Sequence, residues 1–238
     1  EDGKGKTVAD FNSFKRSDKQ ADTKVASDFY HHWKEDIAMM KELGMQIYRF
    51  SLSWARIVPD GDGDINAAGI DFYNKVIDEL IANGIQPFVT LYHFDLPYSL
   101  EEKGGWSSRE TIDAFEAYAK VLFTHFGNDV TYWLTINEQN TMILHPGAIG
   151  LPKGGTLPSK KELYQQNHHL MLAQAKAMKL CHKLCPRGKI GPALNLTAMY
   201  PETCNPSDSI AAHNWEVLRC WNFADVPVFG WYHPLAWS

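Results

Sequence analysis

What the chain does not have narrows its function before any motif is read. No apolar run reaches the roughly 18 residues that a membrane helix needs, so no span is expected. The first residues, E-D-G-K-G-K, show no signal-peptide pattern and read as the interior of a loop. A basic surplus is missing as well. Lys and Arg number 23 against 28 Asp and Glu, a net charge of −5, which leaves no electrostatic footprint for nucleic acid. Cysteine is sparse: Cys181, Cys185, Cys204 and Cys220 form no C-x-x-C pair. They read as buried or half-buried thiols of a reducing cytoplasm, not as a disulfide frame or metal site. The histidine pairs His31-His32 and His168-His169 fall in helical stretches. Neighbours on a helix point about 100° apart, so neither pair chelates one ion readily. They read as packing and surface residues, and no metal or cofactor is expected.

What is present alternates. Residues 1–26 read as polar loop. Tyr30, Trp33, Ile37, Met40 and Leu43 then recur at helical spacing, ending at Gly44. Gln46 to Trp54 reads as a strand. Ile70, Tyr73, Ile77 and Leu80 mark a second helix, capped by Asn66 and stopped by Asn83-Gly84, before a strand from Ile85 to Tyr92. Ser107-x-x-Glu110 has the form of a capping box for a third helix, with Ile112, Phe115, Ala119, Leu122 and Phe126 inward. Thr131 to Glu138 comes next as a buried strand. A Gly/Pro-rich loop near 146–158 leads to a long helix from about Ser159 to Leu184, and Lys189 to Met199 reads as a fourth strand. A last helix starts near Pro206 and carries Trp215, Leu218 and Trp221. Like Trp33, its tryptophans read as core residues. The repeated α-β order predicts an α/β fold with about four parallel strands and flanking helices. A closed barrel of this kind needs eight strands, so the pattern is that of a partial (β/α)8 TIM barrel with two unpaired edges.

In such folds catalytic groups stand at the C-terminal ends of the strands. Those ends carry Arg49, Ser51 and Trp54, then His93 and Asp95, then Asn137 and Glu138, then Asn195. Amide, imidazole, guanidinium and carboxylate groups pair with the hydroxyls of a sugar. The competing structural readings are a helix-capping or ion-pairing Glu138, an ion-pairing Arg49, a core histidine at His93 and a turn residue at Asn195.

At these residues the chain resembles glycoside hydrolase family one, the retaining β-glycosidases. The resemblance rests on Y-R-F-S-L-S-W at 48–54, L-Y-H-F-D-L-P at 91–97, G-G-W at 104–106, W-L-T-I-N-E at 133–138 and N-H-H-L-x-L-A at 167–173. M-Y-P-E-T-C-N-P-S-D at 199–208 is similar to the bacterial 6-phospho-β-glucosidases. The resemblance implies that Glu138 is the general acid/base and that Asn137 holds the sugar 2-hydroxyl. It also implies that His93 meets a glycone hydroxyl and that Arg49 orients the nucleophile; Asn195, from its place at the fourth strand end, is read as a further substrate contact. The family usually has Pro after the acid/base, and here stands Gln139. It carries its nucleophile in a T-E-N-G motif, and none occurs in these 238 residues. Asp95, Glu101 and Glu102 match no nucleophile position. Residues 1–238 are therefore expected to form one incomplete domain, strands two to five of the family fold. The expected substrate is a β-glucoside or a phosphorylated disaccharide. The alternative is a non-catalytic half-barrel paired with a second copy or with the missing half.

Overall fold

The computed structural model describes residues 1–13, 25–146 and 158–237. Its centre is a four-stranded parallel sheet in the order β1 (Ile47–Ser51), β2 (Gln86–Tyr92), β3 (Tyr132–Asn137), β4 (Lys189–Ala193). Ten helices accompany it among the described residues: α1 (Val8–Ser13), α2 (Phe29–Glu42), α3 (Trp54–Ile57), α4 (Ala67–Ala82), α5 (Tyr98–Glu102), α6 (Glu110–Phe126), α7 (Gln139–Leu144), α8 (Lys160–Leu184), α9 (Pro206–Glu216) and α10 (Asn222–Phe229). Parallel pairing forces each connection to cross back over the sheet, and helices do this. The result is a four-stranded portion of a (β/α)8 barrel.

The main core lies between the sheet and α4, α6 and α8. Val89, Leu91, Trp133 and Ile136 meet Ile70, Ile77, Phe115, Leu122, Phe126, Leu170 and Ala173 there. A smaller cluster of Ile37, Val76, Leu80 and Ile85 seats α2, with Trp33 packed against it. The other face of the sheet is open at its β1 edge, where Ile47, Arg49 and Ser51 are exposed and alternate with half-buried Tyr48 and Phe50.

Several local expectations need correction. Residues 7–13 are not loop. Thr7 bridges Pro97, and α1 comes directly after, braced by Asp10, whose carboxylate accepts from the Thr7 amide at 2.8 Å. The Ser107 capping box does not form. Ser107 lies in a 3-10 turn (Gly105–Ser107), its hydroxyl accepts from Gln166 at 2.9 Å, and Arg109 precedes α6. The reciprocal box forms instead at Ser159 and Glu162, where it caps α8. The α2 stripe buries only Ile37 fully, and Leu43 is 79% exposed. β4 stops at Ala193, short of the expected Met199.

Trp215 and Trp221 are exposed, at 55% and 43%, not core. Between α9 and α10 the chain takes a π-helical turn over Val217–Trp221. Within it Val217 and Cys220 are buried while Leu218 and Trp221 are outward; Trp215 lies in α9, which buries none of its residues. The loop read near 146–158 lies almost wholly outside the described residues. Cys181, Cys185 and Cys220 are buried free thiols and Cys204 is exposed. His31 and His32 pair with surface carboxylates, while His169 is buried with Nδ1 2.8 Å from the Trp106 carbonyl. No helix among the described residues is long and apolar enough to cross a membrane.

Candidate functional site

Three strand ends converge on one rim. From β1, the Arg49 Nη2 donates to Asn137 Oδ1 at 2.5 Å, and its Nε donates to Thr90 Oγ1 of β2 at 3.2 Å. Asn137 closes β3, and its Nδ2 lies 3.0 Å from Nε2 of His93, just past β2. Chemistry fixes every orientation in this chain. A guanidinium can only donate, so the Asn137 oxygen faces Arg49 and its amide nitrogen faces His93. His93 Nε2 must therefore accept, which makes the imidazole the neutral, Nδ1-protonated form. Electrostatics agree. Partial burial, then the nearby Arg49 charge, hold the His93 pKa below its ordinary 6.5, and the Glu138 carboxylate pulls weakly the other way.

Glu138 is thus within electrostatic reach of His93. It is half-buried and comes directly after β3. Its backbone is left-handed, with φ +41° and ψ 51°. A non-glycine residue there costs about 1–2 kcal/mol. The cause lies one step upstream. From Leu134 to Asn137 β3 advances three residues while β4 advances two, from Gly191 to Ala193, so β3 carries one extra residue. Such a bulge breaks side-chain alternation and re-aims the side chains beyond it. Thr135 points to the helix layer, where its hydroxyl reaches Gln174 of α8 at 2.7 Å. Strict alternation would send Asn137 the same way, yet it meets Arg49 and His93 on the opposite side. The Glu138 amide ties the end of the bulge to the Ala193 carbonyl at 2.6 Å.

Other rim positions divide. Asn195 does not join the Arg49–Asn137–His93 chain. Its Oδ1 accepts from Arg219 at 3.3 Å, and its backbone is gripped by Asn140, which gives Nδ2 to the Asn195 carbonyl at 2.8 Å and takes the Asn195 amide at 3.1 Å. Asn140 also donates to the Arg219 carbonyl at 2.9 Å, so it pins the π-turn to the first turn of α7. Trp54 is not on the rim. It is fully buried and stacked on Tyr118 with centroids 5.0 Å apart. Asp95 receives the backbone amides of His93 and Trp54, both at 3.3 Å, and so joins the loops after β1 and β2. Burial raises its pKa, partly offset by those bonds. Glu101 and Glu102 sit on α5. Sequence reasoning missed Gln139, Gln174 and Asn167, which interlock fully or almost fully buried behind Glu138. The sequence signals were the run of four polar residues closing an apolar strand, Gln139 in place of the family's Pro, and Asn167 at the head of N-H-H-L-x-L-A. Among the described residues no group of three or more His, Cys, Asp or Glu side chains is arranged to hold a metal.

A guanidinium, an amide, a neutral imidazole and a carboxylate on one rim can together grip and protonate a polyhydroxylated ligand. Parallel strands presenting these groups at their C-terminal ends place them where β/α barrels carry their functional sites. The family model "Glycosyl hydrolase family 1" matches residues 1–236, and the chain belongs to that family. It is 41% identical over 239 residues to the aryl-phospho-beta-D-glucosidase BglC of Bacillus subtilis, an alignment covering 95% of this chain and 50% of that one. To the 6-phospho-beta-glucosidase GmuD of the same organism it is 42% identical over 243 residues, covering 96% and 50%. A beta-glucosidase from Thermotoga maritima, solved in complex with glucoimidazole, superposes with a TM-score of 0.91 at 36% identity, covering 99% of this chain and 54% of that one. The chain spans about half the length of the relatives it matches.

The geometry predicts how His93 titrates. Followed by NMR, its midpoint should lie below 6.5. It should fall further in Glu138→Gln, which removes the favourable charge, and rise in Arg49→Met, which removes the opposing one. Between the lowered folded value and 6.5 the unfolded chain binds more protons, so this group's contribution to stability is lost as pH falls through that window. Midpoints that stay put in both variants would refute the juxtaposition.

Proposed function

We propose that the chain supplies the acid/base half of a retaining β-glycosidase site for β-glucosides or their 6-phosphates. In this reading residues 1–238 form a single unit, strands two to five of the barrel. Glu138, protonated, donates to the departing glycosidic oxygen as a carboxylate outside this chain attacks the anomeric carbon. Glu138, then ionised, takes a proton from the water that releases the sugar. Asn137 and neutral His93 hold glycone hydroxyls, Arg49 orients the nucleophile, and Asn195 lies towards the substrate from β4. The observation that carries this is the hydrogen-bonded chain Arg49–Asn137–His93 across three strand ends, with the Glu138 charge acting on its last member. Bacterial relatives whose names specify phospho-glucosides support the phosphorylated substrate, and the Thermotoga maritima beta-glucosidase supports the free one.

Retaining hydrolysis needs two carboxyl groups about 5–5.5 Å apart, and this chain offers one in family position. The chain alone should therefore leave a chromogenic aryl β-glucoside, and its 6-phosphate, essentially unhydrolysed. Turnover near that of full-length family members would defeat the reading.

A second reading, a non-catalytic half-barrel that pairs with a copy of itself or with a complementary half, is favoured by exposed apolar side chains flanking the sheet. Met39, Leu43, Met45 and Ile47 lie towards β1, and Trp215, Trp221, Phe229 and Trp231 lie in the segment after β4. Sedimentation should show self-association. A monodisperse monomer over the micromolar range would count against it.

A further inference from the structure

We infer that Gln139, locked by Gln174 and Asn167, is a positioning residue for Glu138. The buried amide chain behind the rim fixes the bulged end of β3 and so aims the carboxylate. This rests on the reading of Glu138 as proton donor and adds to it the device that sets its direction.

The bonds run one way. The Thr135 hydroxyl donates to Gln174 Oε1 at 2.7 Å, Gln174 Nε2 donates to Gln139 Oε1, and Gln139 Nε2 donates to Asn167 Oδ1 at 2.6 Å and to the Asn167 carbonyl at 3.2 Å. The orientations of Gln139 and Gln174 are set by their neighbours on both sides, so neither can flip without breaking at least two bonds. All four side chains are at most 1% exposed. Thr135 and Gln139 lie on either side of Glu138's approach. One sits inside the bulged stretch and the other stands directly after Glu138, and both are tied to the single rigid helix α8. With those two points fixed, the intervening backbone has little freedom to relax the left-handed turn at Glu138. Gln139 faces the helix layer while Glu138 faces the rim.

Stability alone does not call for this arrangement. Asn167 Nδ2 is buried without a partner, a cost that apolar side chains of equal size would avoid. What amides add over apolar packing is a fixed orientation.

The test uses the whole chain and three readouts: thermal midpoint, hydrogen exchange of the Glu138 amide, and the His93 titration midpoint. Gln139→Leu should speed Glu138 exchange at least about tenfold beyond any change in global stability. It should also lower the His93 midpoint towards that of Glu138→Gln. The triple variant Gln139→Leu/Asn167→Leu/Gln174→Leu removes every unpaired amide and should regain thermal stability while Glu138 stays loose and the His93 midpoint stays low. If the triple variant recovers wild-type exchange and titration along with its melting temperature, the chain of amides is only core filling and the inference falls. Should Gln139→Leu fail to fold, Gln174→Met is read in the same way, since Thr135 retains the Gly191 carbonyl at 3.3 Å. Unchanged Glu138 exchange in that variant overturns the inference. A Glu138→Gln control that leaves His93 unmoved would sink the Glu138–His93 pairing instead, and the positioning role is then decided on the Glu138 amide.

Discussion

Replacing Glu138 by Ala should slow hydrolysis of a glycoside with a poor leaving group by about 10²–10⁴-fold, the usual worth of a positioned proton donor. The measurement needs a complete site, so the chain would be joined to a polypeptide bearing the family's T-E-N-G strand. The diagnostic is the contrast between substrates. An alkyl or simple aryl β-glucoside leaves as a basic alkoxide or phenoxide and needs the proton. A 2,4-dinitrophenyl β-glucoside leaves without one, so formation of the glycosyl-enzyme should be nearly spared. Its breakdown still needs a base to activate water, and the variant should therefore accumulate the intermediate. Azide needs no base. It should attack the anomeric carbon, expel the enzyme carboxylate, restore turnover and give a β-glycosyl azide. Equal losses on both substrates, or no azide rescue, would show that Glu138 is a structural acid at a strand–helix turn. Glu138→Gln serves as the isosteric companion, because it keeps the size of the side chain at a strained backbone position.

How far this was legible in the sequence depends on which interactions are local. The strands at 47–51, 86–92 and 132–137 were readable because runs rich in β-branched and aromatic residues end sharply at turn or polar residues. The convergence of Arg49, His93 and Asn137 was readable too, because parallel topology puts all strand C-termini on one side. Residue-level aim was not. Trp54 and Asn195 stand near strand ends in sequence, as Arg49 and Asn137 do, yet Trp54 enters the core and Asn195 joins Arg219. The bulge in β3 leaves no mark in T-Y-W-L-T-I-N-E, since it exists only as a mismatch against β4. Likewise Trp221 falls in a π-turn that helical periodicity cannot anticipate, and Trp215 lies on a helix that buries none of its residues. The Gln139–Gln174–Asn167 interlock joins residues 28 and 35 positions apart, and an isolated glutamine carries no sign of its partner.

Trp54 is where the largest loss of stability should appear. Its side chain has no exposed surface, stacks on Tyr118, meets Phe115 edge-on at 5.5 Å and Tyr92 at 6.4 Å, and gives its indole N–H to the Gly61 carbonyl at 3.0 Å. Trp54→Ala removes that packing, opens a cavity and orphans a buried carbonyl. The expected cost is about 3–5 kcal/mol, against the roughly 5–15 kcal/mol that holds an ordinary domain together. A four-stranded sheet whose outer strands are unpaired among the described residues has little reserve, so the variant should unfold at a much lower urea concentration by circular dichroism, with the slope unchanged. Trp54→Phe keeps most of the stack and loses chiefly the indole hydrogen bond, which should cost about 1–3 kcal/mol. The effect should also reach the rim. The Trp54 amide holds one Asp95 oxygen and the His93 amide holds the other, so loosening the first loop should loosen the second. Trp54→Phe should then fold well enough to show a displaced or broadened His93 titration. A Trp54→Ala chain as stable as the wild type, within about 1 kcal/mol, would mean that this aromatic cluster does not anchor the β1 and β2 loops.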